Sequence, residues 1–346
     1  MYIFYVMTEI IIGIVIFCIV LFMYLHLYFH LKTSNDLEIY ELDQMSKDKL
    51  EEVCDIRQPV IFSFENEHIL KTTNKKYLLD NYGAFELKMR NVKESDETRQ
   101  MYVPLPIHAA MKLFNDDQTS SYLSENNGEF LQETGVVKSM QYNDNFLRPS
   151  MVSNCNYDIM MGSEGTTTPF KYELNYRNFF MVVDGSVSLK LAPPEYSKYL
   201  YTNRDYDNFE FRSPVDPWNI QPNYVADFNK MKCLDITLKK GQIIYIPAYW
   251  WYSIKFNSNS SINSFKYRTY MNNLAIAPHI AMYALQLQNI KQDNIKKHEE
   301  YMSNEPENVE DIHIDENQDK DIHNNARKDE DTKEQIDENE ILPANS

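Results

Sequence analysis

The chain has 346 residues and 43% hydrophobic content, enough for one large domain or two smaller ones with extensions. A net charge of −17 argues against a general nucleic-acid binder, which needs a basic surface for phosphate contacts. Its four cysteines (Cys18, Cys54, Cys155 and Cys233) have no paired spacing, which argues against a disulfide framework and a thiolate zinc site.

After a short N-terminal segment (residues 1–9), residues 10–31 are apolar apart from His26 and His30. A helix needs about 20 such residues to cross a hydrocarbon core, so this run is expected to be a single-pass transmembrane anchor. Tyr2, Phe4 and Tyr5 at one end and Tyr24, Tyr28 and Phe29 at the other suit the interfacial belts. A cleaved signal peptide would have a basic start, a shorter apolar core and a small-residue cleavage site, and none is present. Lys32, Lys47 and Lys49 follow the span and no basic residue precedes it. The positive-inside bias then places the soluble domain on the cytosolic or virion-interior side. The sequon at Asn259 would matter only in the opposite orientation. His26 and His30 share a helix face and are expected to be solvated at the membrane border.

Residues 35–150 read as an α+β lead-in. Leu42–Glu52 has an amphipathic helical pattern, Pro59–Phe64 is a strand, Tyr77–Tyr82 is a helix ended by Gly83, and Pro106–Phe114 is a helix with proline in its first turn. Residues 151–276 give strand after strand: Asp158–Gly162, Asn178–Val183, Val187–Leu191, Leu234–Leu238, Ile243–Ile246 and Trp251–Phe256. Asp184-Gly185 and Gly241 read as hairpin turns. A Tyr-, Asn- and Pro-rich insertion from about Glu195 to Lys232 is expected to be solvated, with Tyr196–Tyr206 as a candidate recognition surface. Many short strands with turn signals predict a mainly β sandwich or barrel. Residues 277–302 read as a helix that packs on the barrel or joins a second copy in a homodimer. Residues 303–346 are acidic and too poor in apolar residues to fold.

Several motifs occur in order. Gly162-Ser163-Glu164-Gly165-Thr166-Thr167-Thr168-Pro169-Phe170-Lys171-Tyr172-Glu173 is followed by Asn178-Phe179-Phe180, then by Gly185 through Pro193-Pro194, then by Gly241 through Trp250-Trp251-Tyr252. This series resembles the Jumonji C/cupin-like family, the double-stranded β-helix (jelly-roll) oxygenases, and within it the asparaginyl-hydroxylase branch. The resemblance spans about Tyr157 to Tyr267 and reaches more loosely back to Leu42. It implies a cupin barrel with flanking helices, and in active members an iron(II) and 2-oxoglutarate site.

Carried across one residue at a time, the resemblance puts the first iron histidine on Lys171, the iron carboxylate on Glu173 and the second histidine on Tyr252. The lysine that pairs with 2-oxoglutarate falls on Val187. Thr168 and Asn178 are kept, and Trp250 and Trp251 either line a pocket or pack the core. The eight histidines leave the whole interval between His108 and His279 empty. A facial triad needs two neutral imidazoles and a carboxylate. The sequence therefore predicts a membrane-anchored pseudo-oxygenase that binds or scaffolds a protein partner, with no cofactor and no nucleic acid. Lys171 is expected to pair with Glu173 in place of the metal charge. The competing reading is a 2-oxoglutarate- and iron-dependent protein hydroxylase that recruits His108 or His279. Heavy use of Tyr, Asn, Ile and Lys points to an AT-rich genome, such as that of a large DNA virus.

Overall fold

The computed structural model of the chain describes residues 2–43, 45–93, 102–206 and 209–288. The tail from residue 303 and the second half of the expected helix over 277–302 lie outside them; residues 277–288 are helical.

The chain opens with α1 (Tyr2–Leu31), a continuous helix whose residues 5–22 are exposed throughout. From Met23 onward the stripe Met23, His26, Leu27 and His30 is partly covered by the body, the i, i+3, i+4 spacing of one helix face. The lead-in then runs β1 (Tyr40–Leu42), α2 (Lys47–Asp55), β2 (Val60–Ser63), α3 (Glu67–Thr72), α4 (Lys75–Tyr82), β3 (Glu86–Asn91), β4 (Val103–Pro106), α5 (Ile107–Asp116), β5 (Tyr122–Ser124), α6 (Gly128–Glu133) and α7 (Val136–Asn143). The expected helix over Leu42–Glu52 starts later than its apolar pattern suggests. Ser46 caps it by accepting from the Lys49 N–H, and Leu42 ends β1 instead. Gly83 closes α4 as the sequence predicts, whereas Pro106 ends β4 and caps α5, so the helix starts at Ile107, one residue later than expected.

Strands then follow in two groups of four, with the insertion between them. The first group is β6 (Val152–Gly162), β7 (Lys171–Tyr172), β8 (Arg177–Asp184) and β9 (Ser186–Ala192); the insertion carries β10 (Asn203–Asp205), β11 (Glu210–Arg212) and the short helix α8 (Val225–Phe228); the second group is β12 (Leu234–Lys239), β13 (Gln242–Ile246), β14 (Trp251–Phe256) and β15 (Ser261–Thr269), closed by α9 (Tyr270–Ala275). One sheet has the order β1-β2-β13-β8-β15-β6-β5-β3-β4, and the other β10-β11-β7-β14-β9-β12. Successive strands thus switch sheets: β8 lies in the first and β9 in the second, β12 in the second and β13 in the first. Asp184-Gly185 and Gly241 are therefore corners between sheets and not hairpins. Both glycines do have positive φ, 65° and 83°. At Gly185 a side chain would also meet the backbone at Ser258 and Asn259, 3.0 Å away, so the corner needs glycine twice over.

The first sheet is covered on both faces, which is why β8 is almost continuously buried. Phe180, Val182, Ile244 and Ile262 turn inward to meet Val187, Leu189, Ile254 and Phe256 of the second sheet. Phe179, Met181, Ile243, Tyr245 and Phe265 turn outward to pack beneath α2 to α7, against Leu50, Leu78, Phe130 and Met140 among others. The insertion is not a solvated loop. Leu200, Val215 and Met231 are buried with Phe170 and Trp251 on the outer face of the second sheet, and Tyr196, Tyr199 and Phe228 pack beside them. Such burial of apolar surface is worth about 1.5–3 kcal/mol per large side chain, enough to hold a polar-looking segment in place.

Candidate functional site

Lys171 and Tyr252 lie directly opposite one another across β7 and β14. The short β7 and the Trp-rich β14 bring together the two positions at which the resemblance places histidines, with Glu173 just beyond β7. Lys171 is 5% exposed, and Tyr252 is 1% exposed among the apolar residues between the sheets.

The expected Lys171–Glu173 ion pair does not form. The direct carboxylate partners of Lys171 are Glu125 at 3.5 Å and Glu210 at 3.6 Å. Glu125 follows β5 and is itself buried. Its Oε1 accepts from Arg90 Nε at 2.9 Å and lies 2.8 Å from Arg90 Nη2, while Tyr102 donates to the same oxygen at 3.4 Å. Glu210 is also held by Arg212 Nε at 2.6 Å. Glu173 makes a separate arrangement. Its Oε1 accepts from the Tyr252 hydroxyl at 3.0 Å and from Lys266 Nζ at 2.8 Å, and its Oε2 from Asn175 Nδ2 at 3.3 Å. Two carboxylates outcompete the nearer-in-sequence Glu173 for Lys171 because β15 presents Lys266 to Glu173.

The electrostatics follow from these contacts. Burial opposes the charge on Lys171, but Glu125 and Glu210 overcome it and hold the ammonium protonated well above the ordinary lysine range. Burial likewise opposes ionisation of Glu125, yet Lys171 and Arg90 lower its carboxyl to about 2. Glu173 is also shifted down, burial being outweighed by Lys266 and Lys171. Burial and then the charge of Glu173 push the Tyr252 phenol well above its usual range, so it stays neutral and donates.

This donor set does not fit an iron(II) centre. Where two neutral imidazoles would be needed, the site has an ammonium kept charged and a neutral phenol already committed to Glu173. Val187 is buried in the barrel core opposite Phe256 and supplies no cation for a 2-oxoglutarate carboxylate. His108 is hydrogen-bonded to the Gly83 carbonyl at 2.8 Å, and His279 lies 3.1 Å from the Tyr206 hydroxyl with its ring against Phe211. Among the described residues, no three His, Cys, Asp or Glu side chains are placed to hold a metal ion.

The remaining predicted site residues have structural partners. Thr168 ties the entry loop to β14: its N–H donates to Ile254 O at 2.8 Å and its hydroxyl accepts from Ile254 N–H at 2.9 Å. Asn178 donates to Ile246 O and accepts from Asn175. Trp250 is buried between the sheets, and Trp251 is buried on the other face with its Nε1 donating to Ser197 at 2.8 Å. Both pack cores. Sequence reasoning missed Arg90, Glu125, Glu210 and Lys266. The only clue to them is indirect: a lysine in an apolar strand demands carboxylates from elsewhere.

Glu173, Glu210 and Lys266 border a polar cleft of about 190 Å³, completed by Asn126, Asn154, Asn156, Asn175, Phe209 and Arg268; Lys171 does not line it.

Comparison with known proteins agrees with this architecture. Over 107 residues, 31% of this chain and 24% of the relative, the sequence is 30% identical to JmjC domain-containing protein D of Dictyostelium discoideum. Over 98 residues, 28% of this chain and 20% of the relative, it is 28% identical to HSPB1-associated protein 1 of both Bos taurus and Homo sapiens. The chain thus spans only about a fifth to a quarter of these relatives. The sequence model of the cupin-like domain matches residues 32–273, so the chain belongs to the cupin-like domain family.

Proposed function

We propose that this protein is a membrane-anchored, non-catalytic cupin-like protein, in which a closed set of ion pairs replaces the metal and the barrel serves as a binding or scaffold domain. The observation that carries this reading is Lys171: a buried ammonium, salt-bridged to Glu125 and Glu210, at a position that must be a neutral ligand if iron is to bind.

The anchor is α1, whose segment Tyr5–Leu31 is long and apolar enough to cross a bilayer. The lysines that follow it favour a cytosolic or virion-interior barrel. A protein partner completes the reading. A second copy of the chain, joined through residues 277–302, is its simplest form, and Met282 and Leu285 are exposed on the described part of that run.

The deciding experiment is a calorimetric titration of the purified chain with cobalt(II), with and without 2-oxoglutarate, alongside an assay for succinate release. No stoichiometric binding and no turnover are expected. Tight one-to-one metal binding coupled to 2-oxoglutarate consumption would overturn the proposal in favour of a hydroxylase.

A further inference from the structure

Residues 5–22 of α1 are exposed on every side and, at about 1.5 Å per residue, span about 27 Å. That nearly equals the roughly 30 Å of a bilayer hydrocarbon core. From Met23 the body begins to cover the helix, and the last turns are fastened to it. His30 lies 3.3 Å from the Thr269 hydroxyl with its ring 5.1 Å from that of Tyr176, and the Arg57 guanidinium stacks over Phe29 at 5.1 Å. No flexible spacer separates the spanning length from the barrel, so a body attached in this way is held against the headgroups.

At that level the structure has a cavity of about 390 Å³ with a mainly apolar wall. Leu25, His26, Phe29 and His30 of α1 form one side, and Met151, Tyr270 and Met271 of the body form the other, with Glu51 and Thr269 among its polar groups. Two of these apolar lining residues are largely exposed: Met151 is 71% exposed and Tyr270 62%. Large apolar groups left uncovered around a concavity mark a contact surface. Tyr24 and Tyr28, exposed on α1 at the same height, are the residue type that settles at a membrane interface.

We propose that this cavity takes an acyl chain of a bilayer phospholipid, and that Met151 and Tyr270 seat the barrel flush on the membrane beside α1. The proposal rests on the membrane-crossing reading of α1. The occupant is a lipid because the cavity is continuous with the helix face that enters the bilayer and opens at the depth where chains meet headgroups. Seating of this kind fixes the orientation of the barrel relative to the membrane plane, which a helix on a free tether would not do.

The test uses the full chain reconstituted in phosphatidylcholine vesicles that contain a phosphatidylcholine with a diazirine near the carboxyl end of one acyl chain. After photolysis, adducts are mapped by mass spectrometry. Adducts are expected on Met151, Tyr270 or Met271 as well as on α1. Met271→Trp, which fills the cavity, and Met151→Asp, at an exposed position where folding is not at risk, should each lose the body adducts and keep those on α1. Adducts confined to α1 would overturn the proposal and leave the anchor intact. Release of the unlabelled chain by alkaline carbonate would overturn the anchor and this proposal with it.

Discussion

Replacing Lys171 with methionine keeps an unbranched side chain, one atom shorter, and removes its charge. In the native site Lys171 faces Glu125 and Glu210 at 3.5 and 3.6 Å. At an effective dielectric constant of about 20, each contact is worth about 5 kcal/mol of gross attraction. Desolvating the ammonium and its partners costs several kcal/mol per ion, so the net value of the pairing is much smaller. The variant nevertheless leaves Glu125, 2% exposed, with Arg90 as its only remaining direct cation among the described residues. Removing one member of a buried pair typically costs about 3–5 kcal/mol. For a domain of this size that is a fall in melting temperature of about 6–20 °C. The assay is thermal unfolding followed by circular dichroism in detergent, with Lys71→Met as the control, because the Lys71–Glu67 pair is exposed and screened by solvent. If Lys171→Met melts no lower than the control, Lys171 is not the keystone of the site, and the replacement of metal by ion pairs loses its physical basis.

Three further outcomes follow from the same geometry. Lys171 and Arg90 hold the Glu125 carboxyl below its ordinary 4.5, so its contribution to stability is complete above pH 4.5 and is lost as pH falls below that value; Glu125→Gln should flatten the decline in melting temperature on acidification, and an unchanged slope would contradict the assignment. The double variant Lys171→His/Tyr252→His, with Glu173 kept, recreates two imidazoles and a carboxylate at positions facing each other across β7 and β14, and a divalent ion would supply the charge that Glu125 and Glu210 lose. It should show a cobalt(II) ligand-field band that the native chain lacks; no band would mean that these positions do not converge as the fold indicates. Gly162→Ala should cost about 1–3 kcal/mol by thermal melting, since its new Cβ would lie 2.9 Å from the buried Phe256 ring; a native-like melting temperature would show that the ring can move aside.

Much of the chain is legible from local rules. The alternation and turn chemistry of residues 151–276 yield the strands, Gly83 and Pro106 bound their helices, and the apolar run before Lys32 becomes one long helix. The order of motifs identifies the barrel, and the empty interval between His108 and His279 already removes the imidazoles. These features survive translation from sequence to structure because each depends on residues a few positions apart. The turns at Gly185 and Gly241 show where such reading stops. Glycine predicts a reversal of direction, but it does not say whether the next strand pairs with the last or crosses to the other sheet. The polar composition of the insertion similarly hides the few apolar residues, Leu200, Val215 and Met231, that fasten it over Trp251.

Read alone, the sequence shows that no histidine lies between His108 and His279 and that Lys171 and Tyr252 stand where the family resemblance expects imidazoles, because identity at a position requires no folding. Which carboxylates neutralise that lysine is decided only by tertiary structure: Glu125 arrives from the lead-in and Glu210 from the insertion, while β15 delivers Lys266 to Glu173. Electrostatic pairing in a desolvated interior depends on distance in space, and residues far apart along the chain are brought within that distance only when both sheets and their coverings are assembled.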